Sequence, residues 1–175
     1  LVHGRRTRPE LKLSGWCRER RVFEREAVEN TQATVLFFND ALLEGLTSNV
    51  AVVNDRRELL VPDRDVLQGI GMRLAVEAAE RLGITVRKRV VPLPRHLGGD
   101  TQDDEGCWKE LFLTNANQLC LPVESINRDD SPSLTFDAST FYLNEANCDA
   151  MIHHATTSSR WKFDARHYLK GIYNQ

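Results

Sequence analysis

"DALLEGLTSNVAVVND", residues 40–55, decides how this chain is read. Apolar runs rich in β-formers stand at 41–43 and 50–53, and between them come Glu44, Gly45 and the small polar residues Thr47, Ser48 and Asn49. Two such runs joined by turn residues predict neighbouring strands. Glu44 breaks the pattern, because a carboxylate among apolar residues is costly to bury or stays neutral unless a cation meets it. The acid therefore asks for a purpose.

Working outward, "TVLFF" (34–38) and "ELLVP" (58–62) flank this stretch, and Asn39-Asp40 and Asn54-Asp55 supply the turn signals. An antiparallel meander is expected over 34–62. The period then changes in "LQGIGMRLAVEAAERLG" (67–83). Ile70, Leu74, Ala78 and Leu82 share one helical face with Ala75 and Ala79 beside them, Arg73, Glu77 and Arg81 take the other, and Gly83 closes the helix. "ITVRKRVV" (84–91) reads as the next strand, with its basic residues solvated. Upstream, Leu1 to Thr7 predicts a short strand. From Ser14 as N-cap, "GWCRERRVFEREAVEN" predicts a mostly exposed helix with a sparse stripe of Trp16, Phe23 and Ala27. Residues 98–106 are Gly and Asp rich and read as a loop. "ELFLTNANQLCLPV" (110–123) predicts two short strands around Asn115, the pattern weakens after Val123, and 165–173 reads as a terminal helix. The order of elements makes a mixed α+β domain.

Composition narrows the class. The 175 residues are 41% hydrophobic and 27% charged, as in an ordinary globular protein, and no apolar run approaches the roughly 20 residues of a membrane span. Lys plus Arg total 23 against 25 for Asp plus Glu, so the net charge of -2 supplies no general attraction to nucleic acid. Cys17, Cys107, Cys120 and Cys148 lie far apart without a CxxC pair, which predicts reduced thiols rather than a zinc site or a disulfide framework. His153 and His154 are adjacent, so they do not share a face, and no third ligand is evident; no metal is expected. The chain opens on Leu1 and reads as part of a longer protein, without a signal or transit segment.

Four segments, in order and spacing, resemble the fold-type IV pyridoxal phosphate enzymes: branched-chain aminotransferases, D-amino acid aminotransferases and aminodeoxychorismate lyases. They are "PELKLSGW" (9–16), "EGLTSN" (44–49), "VLQGIGMRLAVEAA" (66–79) and "FLTNANQLCLPV" (112–123). The first is similar to a Lys-x-Ser-x-Trp of the eukaryotic aminotransferase-like members and identifies Lys12, one of only five lysines, as the residue forming the Schiff base. Such a lysine must be free of its proton to attack, which calls for surroundings that strip water from it. The second segment begins 32 residues after Lys12, a spacing typical of the family. The resemblance implies that Glu44 accepts the protonated pyridine nitrogen, so that the ring acts as an electron sink. It implies further that Gly45 lets the backbone approach the ring and that Thr47 and Ser48 reach the cofactor.

In the third segment, Leu67 is implied to pack on the ring, while Gly69, Ile70 and Gly71 present backbone N–H groups to the phosphate at a helix N-terminus. Gly71 stands where the family usually has Thr, so one hydroxyl is missing. In the fourth, Thr114, Asn115 and Ala116 occupy a loop whose backbone N–H groups are implied to meet substrate carboxylate or phosphate, with Asn115 where a hydroxyl residue is commoner and a simple β-turn there as the alternative. The resemblance spans residues 9 to about 123. It implies that residues 1–175 form one domain equivalent to the family's large C-terminal domain, with a barrel-like core and flanking helices, the smaller N-terminal domain being absent from the chain and 124–175 forming an extension. The implied activity is a class IV aminotransferase acting between an amino acid and a 2-oxo acid, with a lyase eliminating pyruvate, or a non-catalytic relative, as the alternatives. A homodimer in the cytoplasm, binding neither nucleic acid nor membrane, completes the expectation.

Overall fold

Alternation of side chains along the strands sets the architecture. The computed structural model describes residues 1–27, 31–94, 107–117, 120–128 and 131–136. Four consecutive strands form the predicted meander: β2 (Val35–Phe38), β3 (Ala41–Gly45), β4 (Asn49–Asn54) and β5 (Leu59–Pro62), each antiparallel to the next. Asn39 and Asp40 both have positive φ, 50° and 55°, between the paired Phe38 and Ala41, so the two-residue hairpin has the twist that matches right-handed strands. β1 (Val2–His3) lies parallel to β2. α2 (Ile70–Arg81) crosses over from β5 to β6 (Val86–Arg89), which is parallel to β5. β7 (Val91–Pro92) pairs with β3, β8 (Trp108–Thr114) runs antiparallel along the whole of β4, and β9 (Leu121–Pro122) returns against β8. A hairpin of β10 (Ser125–Arg128) and β11 (Ser131–Thr135) follows.

β3 and β4 meet at one pair, Glu44 opposite Asn49, and then diverge. Beyond it β7 takes the edge of β3 and β5 takes the edge of β4, so the sheet splays into two leaves. Val35, Phe37, Leu42, Val50, Val52, Leu60, Leu111 and Leu113 fill the space between the leaves. Their neighbours point the other way. Ala51, Val53, Leu59, Val61 and Phe112 pack on Met72, Ala75, Val76, Ala78 and Ala79 of α2, and Leu36 and Leu43 pack on Trp16 and Val66. Period two in the strands and period 3.6 in α2 account for all three clusters.

α1 (Trp16–Arg25) buries only Trp16, with Phe23 half-covered at 6.0 Å between ring centroids, as the sparse stripe predicts. Its N-cap is Gly15 rather than the expected Ser14, because the chain enters the helix through a tight turn in which Trp16 N donates to Leu13 O and Cys17 N to Ser14 O. α2 ends at Arg81 with Leu82 as C-cap, and Gly83, at φ +75°, is the left-handed residue just beyond it. The 98–106 loop, the terminal helix over 165–173, Cys148 and the two histidines lie outside the described residues. Cys17 is an exposed free thiol, and no group of His, Cys, Asp and Glu among the described residues is arranged to hold a metal. Among the same residues no helix is long and apolar enough to cross a membrane.

Candidate active site

Glu44 owes its place to an irregularity. Val35 pairs with Gly45 and Phe37 with Leu42, so three steps along β3 face two along β2. The extra residue is a β-bulge, which re-aims the side chains beside it. Strict alternation would send Glu44 to the side of Leu42; instead it meets Arg6 and the Leu67 N–H, on the side where Leu43, Trp16 and Val66 pack. Glu44 is 3% exposed. Its Oε2 accepts from Leu67 N at 3.0 Å, whereas Oε1 has no hydrogen-bond partner among the described residues, the Arg6 Nη1 lying 3.8 Å away. Burial pushes this carboxyl above the usual carboxylate range, against the Leu67 N–H and the Arg6 charge, which act to lower it.

The segment 67–71 lies across three strand ends. Glu44 of β3, Asn49 of β4 and Thr114 of β8 stand side by side in register. Leu67 N donates to Glu44, and Asn49 Nδ2 donates to Leu67 O at 2.5 Å. A Cβ on Gly69 would come within 2.1 Å of Asn49 Oδ1, and one on Gly71 within 2.9 Å of Asn115 O and 3.2 Å of Thr114 Oγ1. Every second residue of the segment thus sits over the next strand, and two of the three contacts exclude a side chain. At Gly71 this explains the missing hydroxyl. α2 then starts with a glycine N-cap, no side-chain cap and no acid in its first turn, its first intrahelical bond running from Arg73 N to Gly69 O at 3.1 Å.

Lys12 is tied to this row from both sides. Arg6, 7% exposed, donates from Nη2 to Leu11 O at 3.1 Å while facing Glu44, and its guanidinium lies 5.0 Å from the Trp16 ring centroid. Trp16 Nε1 donates to Leu46 O at 2.8 Å. The residue before Lys12 and the tryptophan four residues after it are both anchored to the Glu44 strand and its end.

The expected site residues divide into two groups. Glu44, Leu67, Gly69 and Gly71, with the backbone of Asn115, come together. Thr47, Ile70 and Ala116 are exposed at the margin, Ile70 at 54%. Two of the expected residues have local uses of their own. The space above Gly45 is taken by Ser48, whose Oγ would be 2.1 Å from a Cβ there, so Gly45 makes room for Ser48. The Asn115 side chain closes a turn by accepting from Asn117 N at 2.8 Å. Lys12 is exposed, and the described residues do not strip water from it as expected. Sequence reading missed Arg6 and Asn49; only Asn49 carried a signal, as the last residue of "EGLTSN", while Thr114 stands in the loop expected from the fourth segment.

The arrangement fits pyridoxal phosphate on three counts. A buried carboxylate oxygen without a partner suits a protonated ring nitrogen, an uncapped helix start suits a phosphate, and an exposed lysine is anchored on both sides to the same structure.

Residues 3–126 match the family model described as amino-transferase class IV. Among solved structures, the fold resembles a protein provisionally named a branched-chain amino acid aminotransferase from Thermotoga maritima (25% identity, TM-score 0.52, 69% of this chain and 42% of that one). It also resembles the pyridoxal phosphate form of the branched-chain amino acid aminotransferase from Thermobaculum terrenum (23%, 0.55, 70% and 38%). A third likeness is to a protein provisionally named a 4-amino-4-deoxychorismate lyase from Legionella pneumophila (18%, 0.60, 82% and 47%). The chain spans less than half the length of each of these neighbours. No curated protein matches it.

Proposed function

The chain belongs to the class IV aminotransferase family, and from that premise we propose that it carries the catalytic residues of a pyridoxal-phosphate-dependent aminotransferase acting between an amino acid and a 2-oxo acid. The observation that carries this reading is the Glu44 carboxylate, buried, fixed by the Leu67 N–H and left with one oxygen free of hydrogen bonds. The cofactor, when bound, supplies the electron sink that accepts the pair left at the substrate α-carbon. Glu44 Oε1 holds the proton on the ring nitrogen. Lys12 Nζ anchors the cofactor covalently between turnovers, then takes the proton from the α-carbon and returns it at the neighbouring position. Leu67 would cover one ring face, and the N–H groups of Ile70 and Gly71 would meet the phosphate. Thr47, Ser48, Asn115 and Ala116 border the site.

Elimination of pyruvate, as in a lyase of the aminodeoxychorismate type, would use the same Lys12 and Glu44. Product analysis separates the two reactions. The reading is tested by an absorbance spectrum of the chain with pyridoxal phosphate, before and after borohydride, beside Lys12→Ala. A visible band that borohydride removes and Lys12→Ala lacks is expected. A chain without such a band is a non-catalytic member of the family. We propose further that the chain forms a homodimer in the cytoplasm, checked by light scattering and by fractionation.

A further inference from the structure

Lys12 stands at the apex of a turn that burial does not hold. Residues 10–15 are all exposed, the apolar Leu11 and Leu13 included. Backbone bonds shape the loop: Leu11 N donates to Arg8 O at 3.0 Å, Leu13 N to Leu11 O at 3.0 Å and Trp16 N to Leu13 O at 3.2 Å. The bond from Leu13 to Leu11 spans two residues and closes a γ-turn around Lys12, in the inverse form because Lys12 has no positive φ. A turn whose backbone bonds face solvent opens easily. Here the carbonyl on which it closes accepts a second hydrogen bond, from Arg6 Nη2 at 3.1 Å. Arg6 is not placed as a tight ion pair. Its Nη1 lies 3.8 Å from Glu44 Oε1 without a hydrogen bond, its Nε has no hydrogen-bond partner among the described residues, and its guanidinium lies 5.0 Å from the Trp16 ring centroid. A buried pair kept for stability gains most from a short, two-pronged contact, and an open one scarcely repays the desolvation of both charges. What the guanidinium does reach is the Leu11 carbonyl.

We propose that Arg6 is a positioning residue that ties the Lys12 turn to the charge on Glu44: the carboxylate and the Trp16 ring seat the guanidinium, and the guanidinium holds the Leu11 carbonyl. Loss of the Glu44 charge then loosens the turn with no change in the residues of the turn itself. The functional weight given to Lys12 and Glu44 rests on the pyridoxal phosphate reading above, whereas the link between them needs no bound cofactor. Under that reading the lysine is held in place only while the acid that would keep the ring proton is ionised, so the two groups are readied together.

The test measures backbone order parameters of the full chain by nitrogen-15 relaxation, without cofactor, with the Trp16 indole N–H resonance reporting that α1 stays seated through its bond to Leu46 O. In the wild type, Lys12 and Leu13 are expected near the rigid value of about 0.85, and in Arg6→Gln below about 0.6. Arg6→Lys keeps a cation facing Glu44 but lacks the second donor of a flat fork, so it loosens Leu13 as Arg6→Gln does. Glu44→Gln, which leaves Arg6 and the turn untouched, loosens them part of the way, and the double variant Arg6→Gln with Glu44→Gln loosens them no further than Arg6→Gln alone. Wild-type order in either Arg6 variant or in Glu44→Gln, additive loosening in the double variant, or loosening that comes with a displaced Trp16 indole resonance overturns the proposal. A second arm follows borohydride-trapped labelling by pyridoxal phosphate, in which the initial rate at Lys12 relative to Lys109 is expected to fall about 10-fold in Arg6→Lys, the weight of one hydrogen bond from a charged group. An unchanged ratio overturns the proposal and leaves the enzyme reading intact. A wild-type chain that takes no label at Lys12 refutes the enzyme reading, and the order parameters then decide the Arg6 link alone.

Discussion

The two ends of β4 carry the same kinds of residue and treat them in opposite ways. At its far end Asn54 is 2% exposed and uses both side-chain atoms: Nδ2 donates to Glu58 Oε2 at 3.0 Å, and Oδ1 accepts from Arg56 N and Glu58 N at 3.1 and 2.8 Å. Glu58 in turn accepts from Arg87 Nε at 2.8 Å. At the near end Asn49 holds the 67–71 segment, but Glu44 Oε1 on one side and Thr114 Oγ1 on the other have no hydrogen-bond partner among the described residues. One end is closed upon itself. The other is left with acceptor and donor capacity that the described residues do not use, and an unpaired polar atom in a protein interior calls for an explanation that the proposed cofactor supplies.

The two glutamates report the same contrast electrostatically. Arg87 first, and then Asn54, hold Glu58 below the usual carboxylate range, whereas burial holds Glu44 above it.

The largest effect expected from breaking this contrast follows Glu44→Gln. It keeps the shape and removes the charge that holds the ring proton, so kcat should fall by about two to three orders of magnitude, as when a preorganised electrostatic group is lost. Steady-state kinetics checks it; a loss confined to KM would mean that Glu44 only binds. Asn54→Ala, at the closed end, should leave cofactor affinity unchanged and lower stability by about 1–3 kcal/mol, because it strands two turn N–H groups and a carboxylate oxygen. Urea unfolding measures it.

The pH dependence of stability should separate the ends by sign. Glu44 binds its proton more tightly folded than unfolded, so its contribution falls as pH rises from the ordinary carboxylate value through the raised one. Glu58 does the reverse, its contribution being present above the ordinary value and lost as pH falls through the lowered one. Unfolding of the apo chain, followed from well below the ordinary carboxylate value up to neutral pH, should lose the first dependence in Glu44→Gln and the second in Glu58→Gln. The smallest effect belongs to Arg87→Gln, about 0.2–1 kcal/mol for a pair in which Arg87 is 54% exposed, and salt should erase most of it.

Much of this was legible in the chain. The meander, α2 and the strands around Asn115 followed from period-two and period-3.6 patterns with Asn-Asp turns, and Glu44 stood out because an acid among β-formers has few structural uses. Arg6 was not legible. It sits in a run of basic residues that reads as solvated, and its burial depends on Trp16, Leu11 and Glu44 meeting in space. Thr114 belongs to the loop expected at the site, but nothing local reveals that its hydroxyl is buried or that the tip of β8 comes to rest against Gly71. The bulge in β3 was equally hidden, because it is a property of the pairing between two strands and not of either strand alone.

The most direct test of the open end as a cofactor site is to incubate the chain with pyridoxal phosphate, reduce with borohydride, digest, and locate the pyridoxyl mass by peptide mass spectrometry. The account predicts the label on Lys12 and its loss from that peptide when Glu44 and Thr114 are replaced together by Gln and Val. Label spread over Lys88, Lys109, Lys162 and Lys170 as readily as over Lys12 would contradict it.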